Sequence, residues 1–257
     1  MDPSLPFSRP YRVRFDEAGA DGHARVSTLV RYIQDLAWQH SDAVGFDRPW
    51  YAVRGLGWLV RGQELEVLRD AWYGEQLTLT TQVIGWRRMW ARRRCEVARE
   101  DGTPLVRAHI DWVLLDVTAG RPVRIPKEIE AFAPEAAAFT PVRVDLPEAP
   151  PDATRVPTGV RASDVDPLGH LNNAGYLDLL EEALLTATGT GLRAPTTLRL
   201  EYLQPATPGT PLESVLWATE GGWAYRLVDP SGPTDLLRAT AGRSGQAAEL
   251  PRPTNRS

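Results

Sequence analysis

An internal repeat is the feature that most restricts what this chain can fold into. Within its 257 residues, a Gly-His pair followed by an amphipathic stretch occurs twice, at His23 and at His170. Setting one histidine on the other gives an offset of 147 residues. The repeat predicts two similar folding units that pack together as a fused dimer.

Three further matches follow in the same order along the chain, at offsets of 135, 133 and 131 residues. Coincidence among common residues is the alternative, and four ordered matches with slowly falling offsets argue against it. The matched segments are Leu65–Leu77 with Leu200–Leu212, Trp90–Arg93 with Trp223–Arg226, and Leu105–Ala108 with Leu236–Ala239.

Each unit has the pattern of one strand, one helix and four further strands, which predicts an α+β fold with a helix on an antiparallel sheet. Three- and four-residue spacing of apolar residues predicts helices at 27–41 and 173–186. Strands are expected at 11–15, 63–68, 76–84, 89–99 and 105–115, and at 155–160, 197–202, 213–219, 223–229 and 234–242. We expect an N-terminal unit over 1–133, a linker over 134–157, a C-terminal unit over 158–245 and a loose tail over 246–257.

Composition excludes several classes of protein. A net charge of −4 argues against general nucleic-acid binding, and no apolar run is long enough to span a membrane. Neither a signal peptide nor metal-ligand spacing is evident, so we expect a cytoplasmic location and no metal or other cofactor. The single cysteine, Cys95, is interpreted as a core residue of a strand rather than a nucleophile.

The stretch 163–176 contains the side chains best suited to chemistry. The chain turns through Pro167 and Gly169 and then enters a helix, whose first amides lack intrahelical partners and suit an anion. Asp166 could act there as nucleophile or general base, with His170 four residues later. Both could instead be ordinary turn and packing residues, and Asn172 and Asn173 could simply cap the helix.

The same stretch, Asp-Val-Asp-Pro-Leu-Gly-His-Leu-Asn-Asn-Ala-Gly-Tyr, resembles the signature of hot-dog thioesterases. The first half resembles the acyl-ACP thioesterases of plants and bacteria in the segments 17–21, 57–60, 85–93, 109–116 and 121–126. The resemblance implies two tandem hot-dog modules, each with a helix wrapped by an antiparallel sheet, and cofactor-free hydrolysis of a fatty-acyl thioester in the second module.

The chain departs from the plant pattern at the proposed site. Leu168 stands where the plant enzymes have Asn, and Pro205 and Ala206 stand where they have an acidic residue and Cys. The catalytic set therefore reduces to Asp166 and His170, assisted by Asn172. The first module has Gly19 at the place of Asp166, which predicts one active module and one degenerate module.

For the substrate, the resemblance implies that amides from Gly169 to Leu171 polarise the carbonyl, while the acyl chain lies near Leu177. Tyr176 and Glu181 lie near the His170 face of the helix, where packing is the simpler interpretation. The residues predicted to bind substrate are Gly169, Leu171, Asn173, Tyr176 and Leu177.

A basic run that includes Arg87, Arg88 and Arg92 could dock an acidic carrier protein or coenzyme A phosphates, or could be a solvated strand face. The expected partner is acyl-carrier protein or coenzyme A, with no nucleic acid or membrane, and the chain could be a monomer or a homodimer. Two other functions stay open: a non-catalytic acyl-binding protein, and a hot-dog hydratase or dehydratase.

Overall fold

A continuous antiparallel sheet of eleven strands passes through both repeats. It is seen in a computed structural model that describes residues 5–130, 139–232 and 234–242. The predicted tail at 246–257 and residues 134–138 of the predicted linker lie outside this range. The tandem α+β prediction is confirmed, because each repeat contributes five strands of five or more residues and one long helix; the eleventh strand is a two-residue addition to the first repeat.

The elements of the first module include three that the sequence did not predict: two short helices and a two-residue strand. They are β1 (Phe7–Arg12), α1 (Val26–Ala43), α2 (Arg48–Arg54), β2 (Leu56–Val67), β3 (Gln76–Arg87), β4 (Trp90–Arg99), β5 (Pro104–Asp116), β6 (Arg121–Pro122) and α3 (Lys127–Glu130). Asp47 caps α2 by accepting a hydrogen bond from the Trp50 amide at 2.8 Å. Seven residues are too few for a periodicity argument to find such a helix.

The second module has the simpler set of elements. They are β7 (Thr154–Thr158), α4 (Gly175–Thr188), β8 (Thr196–Tyr202), β9 (Leu212–Thr219), β10 (Gly222–Val228) and β11 (Asp235–Gly242). The strand order is β1-β3-β4-β5-β2-β8-β11-β10-β9-β7, with β6 paired to β5. Each half of this order mirrors the other, and the β2–β8 pair joins the two halves.

Equivalent backbone hydrogen bonds confirm three of the four repeat offsets. The Gly19 and Asp166 amides bond the His23 and His170 carbonyls, each at 2.8 Å, which fits the offset of 147. The amides of Leu68 and Leu203 bond the carbonyls of Leu105 and Leu236, at 2.8 and 2.9 Å, which fits the offsets of 135 and 131.

The offset of the remaining match, 133 residues between Trp90 and Trp223, is wrong by three residues. Cys95 pairs with Ala108 on the neighbouring strand, and Tyr225 pairs with Ala239 in the same way. Tyr225 is therefore the counterpart of Cys95, at an offset of 130. The same register makes Trp223 the counterpart of Arg93 and leaves the two tryptophans on opposite faces of the sheet.

Both long helices pack on the inner face of the sheet. Leu29, Ile33 and Leu36 of α1 and Leu177 and Leu180 of α4 are at most 2% exposed and belong to one apolar cluster that includes both modules. The predicted helices at 27–41 and 173–186 therefore exist, with ends shifted by one or two residues. The continuous core explains why the modules form one body rather than two independent domains.

Two ion pairs lie on the approximate twofold axis that relates the modules. Glu64 and Arg199 are repeat equivalents at the offset of 135, and they pair with each other across β2 and β8, 3.3 Å apart. Arg31 and Asp178 are equivalents at the offset of 147, and they form an ion pair of 2.6 Å between α1 and α4. In both pairs the two equivalent positions carry opposite charges.

The predicted linker crosses the outer face of the sheet, and its last four residues belong to β7. Val142 and Val144 are buried, and their amides donate to the carboxylates of Asp111 and Glu201 at 2.8 and 2.9 Å. Gly62 pairs in register with both acidic residues, and a Cβ added there would lie 2.6 Å from the Cβ of Val142. A glycine is needed at this position because the linker backbone approaches the strand so closely.

Candidate active site

The turn before α4 is closed by its own backbone. The Asp166 amide bonds the His170 carbonyl at 2.8 Å, and the Gly169 amide bonds the Asp166 carbonyl at 2.9 Å. Gly169 has φ +82°, a left-handed conformation that glycine adopts without steric cost. This local geometry places Asp166 and His170 at the two ends of one tight turn.

Asp166 has one engaged carboxylate oxygen and one available oxygen. Its Oδ1 atom accepts the Leu168 amide at 2.8 Å and the His170 amide at 3.5 Å. Oδ2 has no hydrogen-bond partner among the described residues, and the side chain is half-buried. The carboxylate is thus held in place by the turn while one oxygen is left to act on another molecule.

His170 is half-buried as well, and its imidazole makes no hydrogen bond to any part of the chain that the structure describes. The ring can therefore donate to, or accept from, a bound molecule. Since the backbones of Asp166 and His170 are bonded to each other, the sequence prediction that these residues belong to one place is consistent with the geometry.

The amides expected to polarise a carbonyl are mostly occupied. Gly169 donates its amide hydrogen to Asp166, and Leu171 donates to the Ala206 carbonyl at 2.8 Å. The third amide, that of His170, makes only the long contact to Asp166. An oxygen of a substrate therefore needs a donor from elsewhere.

Asn172 closes the turn before α4 and also reaches the other module. Its Oδ1 atom accepts the Ala174 amide at 2.9 Å, while its Nδ2 group donates to Oε1 of Gln34 at 3.4 Å. The backbone carbonyl of Asn173 accepts the Tyr202 hydroxyl at 3.0 Å, which is a structural contact. The amide of Asn172 is thus the link between the signature turn and helix α1.

Gln34 is a site residue that the sequence analysis missed. It is 8% exposed, and its Nε2 group is buried with no hydrogen-bond acceptor among the described residues. Leaving such a donor unpaired costs free energy unless a ligand supplies the acceptor. The offset of 147 could have revealed it, because it makes Gln34 the counterpart of Glu181, on the mirrored face of the other helix.

Tyr176 and Leu177 serve packing. The Tyr176 hydroxyl accepts the Ala206 amide at 2.9 Å and packs edge-on against Tyr202, and burial raises the pKa of Tyr176 to about 12. Leu177 is fully buried in the core. Tyr176 thus supports the segment after β8, where Pro205 and Ala206 stand.

A cavity of about 80 Å³ opens beside the second half of α1, several times the roughly 10–15 Å³ that one water needs. It lies in the first module, away from Leu177. At 1.5 Å of rise per residue, Ser41 on its wall is about 10 Å along the helix from Gln34. Apolar residues on its wall include Ala37, Trp38, Phe46, Trp58 and Ile125.

The three arginines predicted to dock a carrier differ in exposure. Arg87 and Arg88 are exposed where β3 turns into β4. Arg92 is 13% exposed in its side chain and donates two hydrogen bonds to Asp111, at 2.6 and 2.8 Å, and one to the Thr140 carbonyl at 2.9 Å. Its guanidinium is therefore used to hold the linker.

The corresponding turn of the first module has the same backbone with different side chains. Gly19 replaces Asp166, and the Oδ1 atom of Asp21 lies 3.0 Å from where a Gly19 Cβ would be. Arg193 forms an ion pair with Asp21. Partial burial acts to raise the pKa of Asp21, but hydrogen bonds from Arg193 and the His23 amide outweigh it and lower the pKa to about 2.

This combination defines a double hot-dog protein with one intact and one altered turn-helix site. Residues 4–132 match the acyl-ACP thioesterase N-terminal domain, and residues 148–229 match the acyl-ACP thioesterase C-terminal domain. The chain belongs to the acyl-ACP thioesterase family.

Known relatives and solved structures agree with this assignment. The chain is 27% identical over 248 residues to a chloroplastic acyl-[acyl-carrier-protein] hydrolase of Cuphea viscosissima. The aligned region covers 89% of this chain and 56% of the relative. It thus spans little more than half the length of that protein. The fold matches a 12:0-ACP thioesterase from Umbellularia californica, with a TM-score of 0.77, 21% identity and coverage of 93% and 96%.

An acyl-ACP thioesterase from Bacteroides thetaiotaomicron also has this fold, with a TM-score of 0.74, 15% identity and coverage of 92% and 97%. No helix within the described residues is long and apolar enough to cross a membrane. The same residues contain no cluster of three metal-ligating side chains.

Proposed function

We propose that this protein hydrolyses fatty-acyl thioesters carried on acyl-carrier protein or coenzyme A. The observation that carries the proposal is the free Oδ2 of Asp166 in a turn whose neighbour, Asn172, donates to Oε1 of Gln34, a residue whose Nε2 group is buried and unpaired. The plant relative is named for hydrolysis of an acyl-carrier-protein thioester. A carboxylate beside hydrogen-bond donors is what that reaction requires.

Two routes begin at Asp166 Oδ2. In one, the carboxylate takes a proton from water as the water attacks the thioester carbonyl; in the other, the carboxylate attacks and forms a mixed anhydride that water then opens. In both, the carbonyl oxygen gains negative charge, which Gln34 Nε2 and His170 can stabilise as donors. The thiolate leaves, takes up a proton and is released together with the free acid.

The two modules divide the work in this proposal. The C-terminal module over 158–245 supplies Asp166, His170 and Asn172, while the N-terminal module over 1–133 supplies Gln34 and the cavity beside α1. Exposed Arg87 and Arg88 are the positions best suited to contact an acidic carrier, since Arg92 is bound to Asp111. We propose a cytoplasmic enzyme that acts as a monomer.

The test is turnover of acyl-ACP and acyl-CoA thioesters of several chain lengths by the wild-type protein and by Asp166→Asn. Hydrolysis that falls at least a hundredfold in the variant supports Asp166 as the reacting group. A single turnover in H₂¹⁸O tests the anhydride route, since ¹⁸O in the Asp166 carboxylate shows that water opened the anhydride at its aspartyl carbonyl, and the general-base route never introduces this label.

A non-catalytic acyl-binding protein is the second candidate, because Pro205 and Ala206 replace the acidic residue and Cys that the plant pattern has at these positions. In that case the whole panel of thioesters would bind without turnover, and Asp166→Asn would leave the affinities unchanged.

A further inference from the structure

The cavity beside α1 contains a polar group that its apolar wall does not explain. Arg93 lines the cavity on the inner face of β4 and donates one hydrogen bond, to Nδ1 of His40 at 2.9 Å. It forms no ion pair with any carboxylate of the described residues, and burial lowers the pKa of its guanidinium below the ordinary value. Arg93 is only partly exposed, and a cation taken largely out of water without an anion is costly, so it calls for a ligand.

Two further donors in the same wall have no acceptor. Burial lowers the pKa of His40 to about 4, as does the charge of Arg93, so the ring is neutral near pH 7. Because Nδ1 accepts from Arg93, the proton is on Nε2, which is buried and unpaired. Nε1 of Trp112 is also buried and unpaired, and the residue is 7% exposed.

Two other polar groups of this wall are satisfied within the protein. The Trp58 indole donates to the Tyr51 hydroxyl at 2.9 Å, and Ser41 donates to the Phe46 carbonyl at 3.0 Å. Besides one unpaired acceptor, Oε1 of Glu130, this wall offers donors from three residues: Arg93, His40 and Trp112. Their common need is an oxygen acceptor.

The second module shows that the fold does not require this set. By strand register, Trp223 occupies the place of Arg93, and at the offset of 147 the counterpart of His40 is Ala187. Neither replacement has a charge, although both modules have the same strand order. The second module also has a pocket, lined in part by Trp223, but it lacks the donors of Arg93 and His40.

We propose that this cavity binds the far end of the acyl chain and that this end carries an oxygen acceptor, as in a hydroxy-, oxo- or carboxyacyl thioester. The inference rests on the proposed thioester substrate. His40 lies six residues beyond Gln34 on α1, or about 9 Å, so a chain whose thioester is at Asn172 and Gln34 would run along the helix to the donors. Among these tails, a carboxylate best balances the charge of Arg93.

Glu130 also lines the cavity, and its charge bears on the preference for a carboxylate. It lies in α3, and its Oε1 atom, 3.6 Å from Nε of Arg124, is buried without a hydrogen bond. It is not among the charges that shift the pKa of Arg93, so it does not neutralise that side chain.

The experiment compares acyl-ACP substrates of one chain length whose tails end in methyl, hydroxyl or carboxylate. We expect the wild-type kcat/KM to be at least tenfold higher for an oxygen-bearing tail than for methyl, because a site built for an oxygen rejects the analogue that lacks it. Arg93→Met should abolish this preference, and Arg93→Lys should retain part of it. Arg107→Met, which removes an arginine of similar size from the outer face of β5, should leave the ranking unchanged.

Binding provides a readout that does not depend on hydrolysis. Non-hydrolysable thioether analogues with the same three tails can be titrated by calorimetry into the wild type, Arg93→Met and Trp112→Phe. A tail preference that depends on Arg93 supports the inference even if no thioester is turned over. A wild type that favours methyl tails, with a ranking that Arg93→Met leaves intact, overturns the inference while hydrolysis itself can stand.

Folding of the variants is checked by thermal unfolding. Removing an uncompensated buried charge should leave the Tm of Arg93→Met equal to that of the wild type or higher. If Arg93→Met does not fold, Trp112→Phe decides the matter, since it removes one donor and keeps the ring; an unchanged tail ranking in that variant overturns the inference.

Discussion

The two turn-helix segments have the same backbone hydrogen bonds, but only one of them has its carboxylate paired with a cation. Asp166 keeps one oxygen free, whereas Asp21 approaches the equivalent place from two residues later and is bound by Arg193. His170 has no bonded partner among the described residues, whereas His23 is stacked on Trp72 with ring centroids 4.0 Å apart. A turn alone does not make a site, because the carboxylate must also be left without a cation.

The largest effect on activity that we predict comes from replacing the Asp166 carboxylate, which distinguishes the two turns. Asp166→Asn should lower kcat/KM for the best thioester by about 10²–10⁴-fold, because the amide cannot accept the proton or attack. Asp21→Asn, at the altered turn, should change kcat/KM by less than about twofold. Equal losses in the two variants would mean that Asp166 acts only as a turn residue.

A smaller loss of activity is expected when Gln34, which the first module contributes to the site, is replaced. Gln34→Leu should lower kcat by about a hundredfold with little change in KM, because the lost donor acts on the developing oxyanion. The control is Glu181→Gln at the equivalent position of α4, which should keep kcat. A rise in KM alone for Gln34→Leu would contradict an oxyanion role and indicate ground-state binding.

The next prediction concerns the contribution of the Arg31–Asp178 ion pair to stability, since these equivalent positions of the two modules carry opposite charges. Arg31→Asp should lower the free energy of unfolding by about 1 kcal/mol, because it places two carboxylates together at a partly buried position. The swapped variant, Arg31→Asp with Asp178→Arg, should recover most of that loss. Urea unfolding of the four proteins of this cycle measures the coupling, and a double variant no better than the single would show that charge is not what matters there.

The smallest predicted effect is a loss of stability at low pH. The folded pKa of Asp21 is about 2, below its ordinary value of 3.8, so its contribution to stability is present above pH 3.8 and is lost as pH falls towards 2. Since the side chain is largely exposed, we expect less than about 1 kcal/mol. Arg193→Gln should flatten this part of the stability profile in urea titrations. Parallel profiles for the two proteins would assign the acid sensitivity to other groups.

Local sequence predicted the frame of the molecule well. The Gly-His repeats correspond because they form the same hydrogen-bonded turn, and the long helices were found because their apolar faces are periodic. The Trp90–Trp223 match failed for a physical reason. Strand register depends on the pairing partner and the length of the connecting turn, and the chance recurrence of a tryptophan reveals neither.

Sequence predicted only those candidate site residues that lie within one continuous segment of the chain. Asp166, His170 and Asn172 are neighbours in sequence, so a motif could bring them together. Gln34 comes from the other module, 138 residues from Asn172, and becomes a neighbour only through the packing of α1. The amides of Gly169 and Leu171 have acceptors because the turn closes on itself and because Ala206 returns to it, which no local pattern shows.

The ion pairs on the approximate twofold axis also bear on which halves can pair with each other. A separated first module meeting its own copy would set Glu64 against Glu64 and Arg31 against Arg31, and a separated second module would do the same with Arg199 and Asp178. Self-association is thus disfavoured in either half, while the union of unlike halves is favoured at both positions. Two residues per half are thus enough to favour the pairing of unlike halves over the pairing of like ones.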